Sequence, residues 1–174
     1  GARTIIVGRN LNELRRIDDV FGGQVITLAS NPHNIESAVA QSDLVIGGVA
    51  ITGAAAPKLV TRDMIKKMRH GSVVADVSID QGGSFETSRP TSHKDPVYVE
   101  EGVIHYCVTN MPGAVPNTST HALTNATLPY ALKIANMGLV AAARKDPVLA
   151  RGINTYQGKL TNEAVAEALK LKYE

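Results

Sequence analysis

Val73-Val74-Ala75-Asp76-Val77-Ser78-Ile79-Asp80-Gln81-Gly82-Gly83 is a β-branched run that closes on a carboxylate and two glycines. A second run, residues 103–108, leads into Asn110-Met111-Pro112. In an open parallel sheet, ligands sit outside the carboxyl ends of the strands. The region therefore brings an ionisable group, an amide and closely approachable backbone to the place where two ligands could meet. Drawn as one strand over 72–79, it puts Asp76 and Asp80 on a single face, because side chains alternate with period two. Asp76, inside the run, reads as a hydrogen-bonded structural group. Asp80, beside the glycines, reads either as a proton-transfer or orienting group or as a turn cap, since Asp often begins turns.

Outward from this stretch, β-rich runs alternate with helical ones. Residues 4–7, 24–28 and 43–49 read as strands. Between the first two, Asn10 is an N-cap, Leu11, Leu14, Ile17, Val20 and Phe21 recur at helical spacing, and Gly22-Gly23 stops the helix. Asn31-Pro32 opens a second helix with Ile35, Ala38 and Val39 on its apolar face, and residues 61–68 form a short third. Strand-helix alternation of this kind predicts βαβ units and a parallel sheet. After Asn110 the pattern turns helical, over 119–138 with an interruption at Pro129, then 139–150 and 162–171. The expected fold is α/β: a partial Rossmann-type parallel sheet with flanking helices and a helical C-terminal tail. Residues 1–110 form a truncated dinucleotide-binding domain. Residues 111–174 form a helical segment that packs on it or reaches toward a substrate domain.

Composition narrows the function. The chain has 174 residues, 44% hydrophobic and 20% charged, which is ordinary for one soluble domain. A net charge of +2 with interspersed signs and few aromatics argues against nucleic-acid binding. No apolar run is long enough for a membrane span. The single cysteine, Cys107, excludes an intrachain disulfide and, with no leader segment in view, makes a reducing cytoplasm the expected setting. Cys107 reads as an inert core thiol. None of His33, His70, His93, His105 and His121 falls at ligand spacing with another, so no metal site is expected.

Two further stretches have two readings each. Gly8-Arg9-Asn10 follows the first strand, where a dinucleotide fold usually holds an acid on the adenine ribose. Glycine there removes the repulsion of a 2′-phosphate and Arg9 could pair with one; equally, the stretch is a plain βα turn with a solvated arginine. The small residues from Gly47 to Ala56 either admit a flat ligand to the backbone or form an ordinary loop.

Ser42-Asp43-Leu44-Val45-Ile46-Gly47, Ala56-Pro57-Lys58-Leu59-Val60, Ile79-Asp80-Gln81-Gly82-Gly83, Asn110-Met111-Pro112 and Ala122-Leu123-Thr124-Asn125-Ala126-Thr127-Leu128-Pro129-Tyr130 together resemble alanine dehydrogenase. The NAD-binding part of proton-translocating transhydrogenase is a more distant relative by the same motifs. The resemblance implies reversible oxidative deamination of L-alanine to pyruvate and ammonia, with hydride passing to NAD. It also implies that Asp80 is the active-site carboxylate near nicotinamide and substrate. Asn110 and Met111 then line the nicotinamide side, Val49 and Ala50 contact the cofactor after the third strand, and Val77 and Ser78 approach it from the fourth. Ser30 lies near the adenosine end, with Gly8 and Arg9.

Two departures from the family pattern carry expectations. Gly8 stands where the family usually has Asp, so NADP should be accepted as well as NAD. The family's N-terminal substrate region, with its Arg, Lys and His, and the first βα unit with its Gly-x-Gly-x-x-Gly loop are not found in these residues. The chain is therefore expected to be a fragment that lacks turnover by itself, joined in the full enzyme by a complementing N-terminal chain or by copies of itself in a homo-oligomer. The rival reading is a non-enzymatic, nucleotide-binding or self-associating module.

Overall fold

Asn10 caps the first helix as its side chain suggests, accepting from the main-chain N–H groups of Asn12 (3.0 Å) and Glu13 (3.3 Å). In the computed structural model, which describes residues 1–49 and 55–173, the elements run β1 (Thr4–Gly8), α1 (Leu11–Phe21), β2 (Val25–Ala29), α2 (Pro32–Gln41), β3 (Leu44–Gly47), α3 (Arg62–Ile65), β4 (Val73–Asp76), β5 (Val97–Glu100) and β6 (Val103–Tyr106). They continue with α4 (Pro116–Met137), α5 (Leu139–Lys145), α6 (Pro147–Arg151), β7 (Thr155–Tyr156), β8 (Lys159–Leu160) and α7 (Glu163–Leu169). One compact unit holds Gly1–Val49 and Ala56–Thr109, and a second begins at Asn110.

In the first unit the described strands form two sheets. β1 and β2 pair in parallel, with Thr4 opposite Val25 and Gly8 opposite Ala29. The other sheet has the order β3-β4-β6-β5, parallel except for its last pair. The core is Val39, Val60, Ile65, Met68, Val74, Phe85 and Val103, with Ile35, Val45 and Met64 packed against it. Residues as fully enclosed as Phe85, Ile65 and Val74 each contribute about 1.5–3 kcal/mol by burial. They join α2 and α3 to one face of the four-stranded sheet. On α1 only Leu14 of the predicted stripe is buried, while Leu11, Val20 and Phe21 stay exposed.

Five features depart from the sequence expectation. The fourth strand ends at Asp76 and does not run on to Ile79, so Asp76 and Asp80 share neither a strand nor a face. The sheet gains an antiparallel edge, β5, through a two-residue hairpin at Glu101-Gly102, both residues having positive φ (51° and 76°) as a type I′ turn requires. In the second unit, α4 runs through Pro129 unbroken, because a proline inside a helix costs one main-chain bond and need not end it. The expected helix over 139–150 is two: Asp146-Pro147 divides them, with Asp146 accepting from the Val148 N–H at 2.9 Å. The tail is also not wholly helical, since β7 and β8 form a hairpin about Gln157-Gly158 (φ 48° and 79°).

Candidate active site at the carboxyl ends of the strands

β4 delivers Asp76 into a fully buried position, and that carboxylate organises the chain beyond the strand. It accepts from the main-chain N–H groups of Ser78 (3.1 Å), Ser84 (2.8 Å) and Phe85 (3.4 Å), and from the hydroxyls of Ser84 (3.2 Å) and Ser88 (2.5 Å). A buried carboxylate is tolerated only when it is so surrounded by donors. The bond to Ser78, two residues on, bends the chain off the sheet and ends the strand. Gly83 then passes over the carboxylate with φ 78°; a Cβ there would lie 2.7 Å from Asp76 Oδ2, so only glycine serves.

The chain between Ser78 and Gly82 is a single 3-10 turn, Ile79–Gln81, ended by Gly82 at φ 94°. Ile79 is buried and anchors the turn, which leaves Asp80 on the exposed side. Three bonds fix the turn from outside it. Ala56 donates its N–H to Gln81 O (2.8 Å), and Lys58 Nζ donates to the carbonyls of Gly82 (2.5 Å) and Phe85 (3.1 Å). Asp80 is thus an ionisable side chain on a short, tethered platform beyond the end of a parallel strand.

β3 ends beside it. The Val77 N–H donates to Gly47 O (2.8 Å), and the buried Ser78 hydroxyl donates to Val49 O (2.7 Å). Gly47 has to be glycine: an added Cβ would sit 2.6 Å from Phe85 Cε2 and closer still to Ser84 Oγ. Val49, Val77, Ser78 and Asp80 therefore form one group at the ends of β3 and β4, with Val77 exposed and Val49 half-buried. Ala50, predicted to touch the cofactor, lies outside the described residues.

At the ends of β1 and β2, Gly8 and Ser30 are joined by Ser30 N–H to Gly8 O at 2.8 Å. Arg9 follows, exposed. Asn34 donates its side-chain amide to Ala29 O (2.8 Å), holding the start of α2 against the same strand end. Gly8 is backed by Leu14, whose Cδ2 would be 3.2 Å from a Cβ at position 8. Asn110 and Met111 belong to the second unit: Asn110, at φ 52°, precedes a 3-10 turn formed by Met111–Ala114. The sequence reading brings Gly8 with Ser30, and Val49 with Val77, Ser78 and Asp80. It missed Lys58 as the tether of the Asp80 turn, and no local signal marks that lysine, because its partners lie more than twenty residues further on.

Among the described residues, no group of three or more His, Cys, Asp or Glu side chains could hold a metal ion. His105 is buried, with Nδ1 2.9 Å from Val103 O and Nε2 2.7 Å from Thr87 Oγ1. A carbonyl only accepts, so Nδ1 carries the proton and Nε2 accepts from Thr87. Burial holds the His105 imidazole below its ordinary pKa. Cys107 is likewise buried, near the Tyr98 hydroxyl (3.6 Å) and Ser88 Oγ (3.7 Å). Burial is also the main cause that pushes the Tyr98 phenol above its usual range.

The chain matches the family described as "Alanine dehydrogenase/PNT, C-terminal domain" over residues 1–163. It is 57% identical over 175 residues to alanine dehydrogenase 2 of Staphylococcus aureus (strain USA300), a match that covers 100% of this chain and 47% of the relative. The same protein of strain COL matches equally, at 57% identity. A solved L-alanine dehydrogenase superposes with a TM-score of 0.84 at 46% identity, over 98% of this chain and 47% of the other. A transhydrogenase from Sinorhizobium meliloti gives a TM-score of 0.67 at 21% identity, over 92% of this chain and 53% of the other, a likeness of fold alone. The chain spans about half the length of the curated relatives it matches.

Proposed function

The chain belongs to the alanine dehydrogenase/PNT C-terminal domain family, and from that membership we propose that it is the cofactor-binding part of an oxidoreductase acting on L-alanine. The observation that carries the reading is Asp80, presented on a tethered turn at the carboxyl ends of β3 and β4. A nicotinamide dinucleotide laid along those ends meets Gly8, Arg9 and Ser30 at its adenosine side, then Val49, Val77 and Ser78; Ala50 is assigned to the cofactor by family resemblance. Asn110 and Met111 are assigned to the nicotinamide side by family resemblance. The residues fit such a group: Gly48 has nothing within 4 Å of an added Cβ, and Gly8 brings no side chain toward the ribose. When bound, the cofactor supplies the hydride acceptor. Asp80 exchanges the proton of the reacting amine and orients it, a role for a carboxylate held in fixed geometry.

The cofactor is NAD, with NADP accepted too, because the position of the usual ribose-binding acid is Gly8. The substrates are L-alanine on one side and pyruvate with ammonia on the other. Asp80 is the one member of the expected catalytic set found in these residues, so residues 1–174 alone turn over no alanine. The working enzyme is an assembly, as a homo-oligomer or with a complementing N-terminal chain. A reducing cytoplasmic setting belongs to the same reading, supported by the buried free thiol of Cys107. Among the described residues no helix is long and apolar enough to cross a membrane.

The test is a chimera in which residues 1–174 replace the matched part of the Staphylococcus aureus relative. It should oxidise alanine, and Asp80→Asn should lower kcat by about 100-fold or more while NADH binding is unchanged. Full activity of the Asp80→Asn chimera would sink the assignment. For the isolated chain, a steady-state rate on the order of 10 per second with alanine and NAD would overturn its proposed inactivity.

A further inference from the structure

Residues 56–60 run beside 81–86 and are stitched to them by main-chain bonds at both ends. The Ala56 N–H donates to Gln81 O (2.8 Å). Leu59 and Val60 donate to Ser84 O (2.8 and 3.2 Å), and Glu86 donates back to Val60 O (2.9 Å). Val60 and Phe85 form an isolated parallel bridge at the same place. Between these ends the stitching lapses. Pro57 has no N–H to give. Among the described residues, no main-chain bond links Pro57 or Lys58 to Gly82 or Gly83. The gap falls opposite the softest part of the chain, because Gly82 and Gly83 (φ 94° and 78°) are successive glycines, the residue with the widest conformational range.

Lys58 closes that gap with its side chain. Its Nζ donates to Gly82 O (2.5 Å) and to Phe85 O (3.1 Å), one carbonyl at the start of the glycine pair and the other beyond it. Hydrogen bonds from a charged donor are about twice as strong as neutral ones. Gly82 is also the residue that ends the turn Ile79–Gln81. Any freedom of the glycine pair is therefore passed to Asp80, two residues back. Lys58 is exposed and stands outside the apolar core, so its bonds fix a local geometry and not the packing of the sheet.

We propose that Lys58 is a positioning residue for the reaction at Asp80. It acts through the turn and not on a reactant: by clamping both sides of Gly82-Gly83, it sets where the Asp80 carboxylate stands. The inference rests on the role proposed above for Asp80. Reacting groups must be held within a narrow range, and a displacement of about 1 Å costs about 100-fold in rate. A side chain of the same reach that cannot donate leaves the glycine pair free. The rate then falls, while cofactor affinity, set by the strand ends, stays.

The experiment uses the chimera that carries residues 1–174. Lys58→Met should lower kcat by about 10- to 100-fold and leave KM for NAD within about twofold. Lys58→Arg, which can donate to two carbonyls at once, should restore most of the rate. In the Asp80→Asn background, Lys58→Met should change the residual rate by less than about twofold, since residues that act as a unit are not additive. An equal loss in both backgrounds, or a raised KM with kcat unchanged, would show that Lys58 acts apart from Asp80 and would overturn the inference. Full activity of Lys58→Met beside a crippled Asp80→Asn removes this inference alone. Full activity of Asp80→Asn removes the proposed role of Asp80 and this inference with it. The clamp itself is read by amide hydrogen exchange on the 174-residue chain. Gln81, Gly82 and Gly83, whose N–H groups bond to Ser78 O and Ile79 O within the turn, should exchange about tenfold faster in Lys58→Met and not in Lys58→Arg. Unchanged exchange in Lys58→Met would refute the clamp.

Discussion

Ser84 donates both its main-chain N–H (2.8 Å) and its hydroxyl (3.2 Å) to the carboxylate of Asp76. The bond closes the loop that carries Asp80 back onto the end of its own strand. Removing the acceptor strands buried donors on Ser78 and Ser84 at once. Asp76→Ala should therefore cost about 2–4 kcal/mol, since each orphaned buried donor is worth about 1–3 kcal/mol. Ser88→Ala, which removes a donor and leaves the carboxylate otherwise served, should cost about 1 kcal/mol. Urea unfolding of the two variants reads the difference; equal midpoints would contradict the role given to Asp76.

Gly8 bears on the choice between NAD and NADP. Unmodified chain in the chimera should titrate with both cofactors at comparable affinity, because no carboxylate opposes a 2′-phosphate and Arg9 is free to swing toward one. Gly8→Asp should shift the preference toward NAD by about tenfold or more. The new Cβ meets only the end of the Leu14 side chain, at 3.2 Å, so the fold should survive the change. Strong NAD selectivity before any substitution would show that Gly8 does not set the preference.

His105 gives the first unit a pH dependence of predictable sign. Its folded pKa is depressed by burial below the ordinary 6.5, so the unfolded chain binds the proton more readily. The stability it contributes is complete above the unfolded pKa and is lost as pH falls from there toward the folded pKa. Protonation also takes away the Nε2 lone pair that accepts from Thr87. Urea midpoints should fall between pH 7 and pH 5, and His105→Gln should flatten that part of the profile. A midpoint that rises on acidification would reverse the assignment.

Much of the first unit was legible because its signals are local. Asn10 and Asn31 cap their helices, Gly22 ends α1 at φ 55°, and the β-branched runs became β1 to β4 and β6. What could not be read depends on residues distant in sequence. β4 stops at Asp76 because Ser78 turns the chain onto a carboxylate that Ser84 and Ser88, further on, keep satisfied in the interior, while the unbroken β-branched pattern through Val77 and Ile79 favours a longer strand. The two hairpins turn on Glu101-Gly102 and Gln157-Gly158, where Glu and Gln accept positive φ without the Asn or Asp that usually signals it. At the candidate site, Asp80 stood out as a carboxylate at a strand end, but its fixity comes from Lys58 and Ala56, reached across the fold.

The Glu101-Gly102 hairpin also has a consequence for the order in which the first unit is made. It supplies the one pairing in that unit between strands adjacent in sequence and joined by two residues; the parallel pairings each wait for a crossover to close. Hairpins form in about 1–10 μs, well ahead of contacts that must pay for long loops. The β5–β6 pairing should therefore form first, with β4 and then β3 added to it in turn. Gly102→Ala, strained at φ 76°, should slow refolding more than it speeds unfolding, which a chevron plot would reveal. A chain that folds in this order builds the four-stranded sheet from its antiparallel edge toward β3.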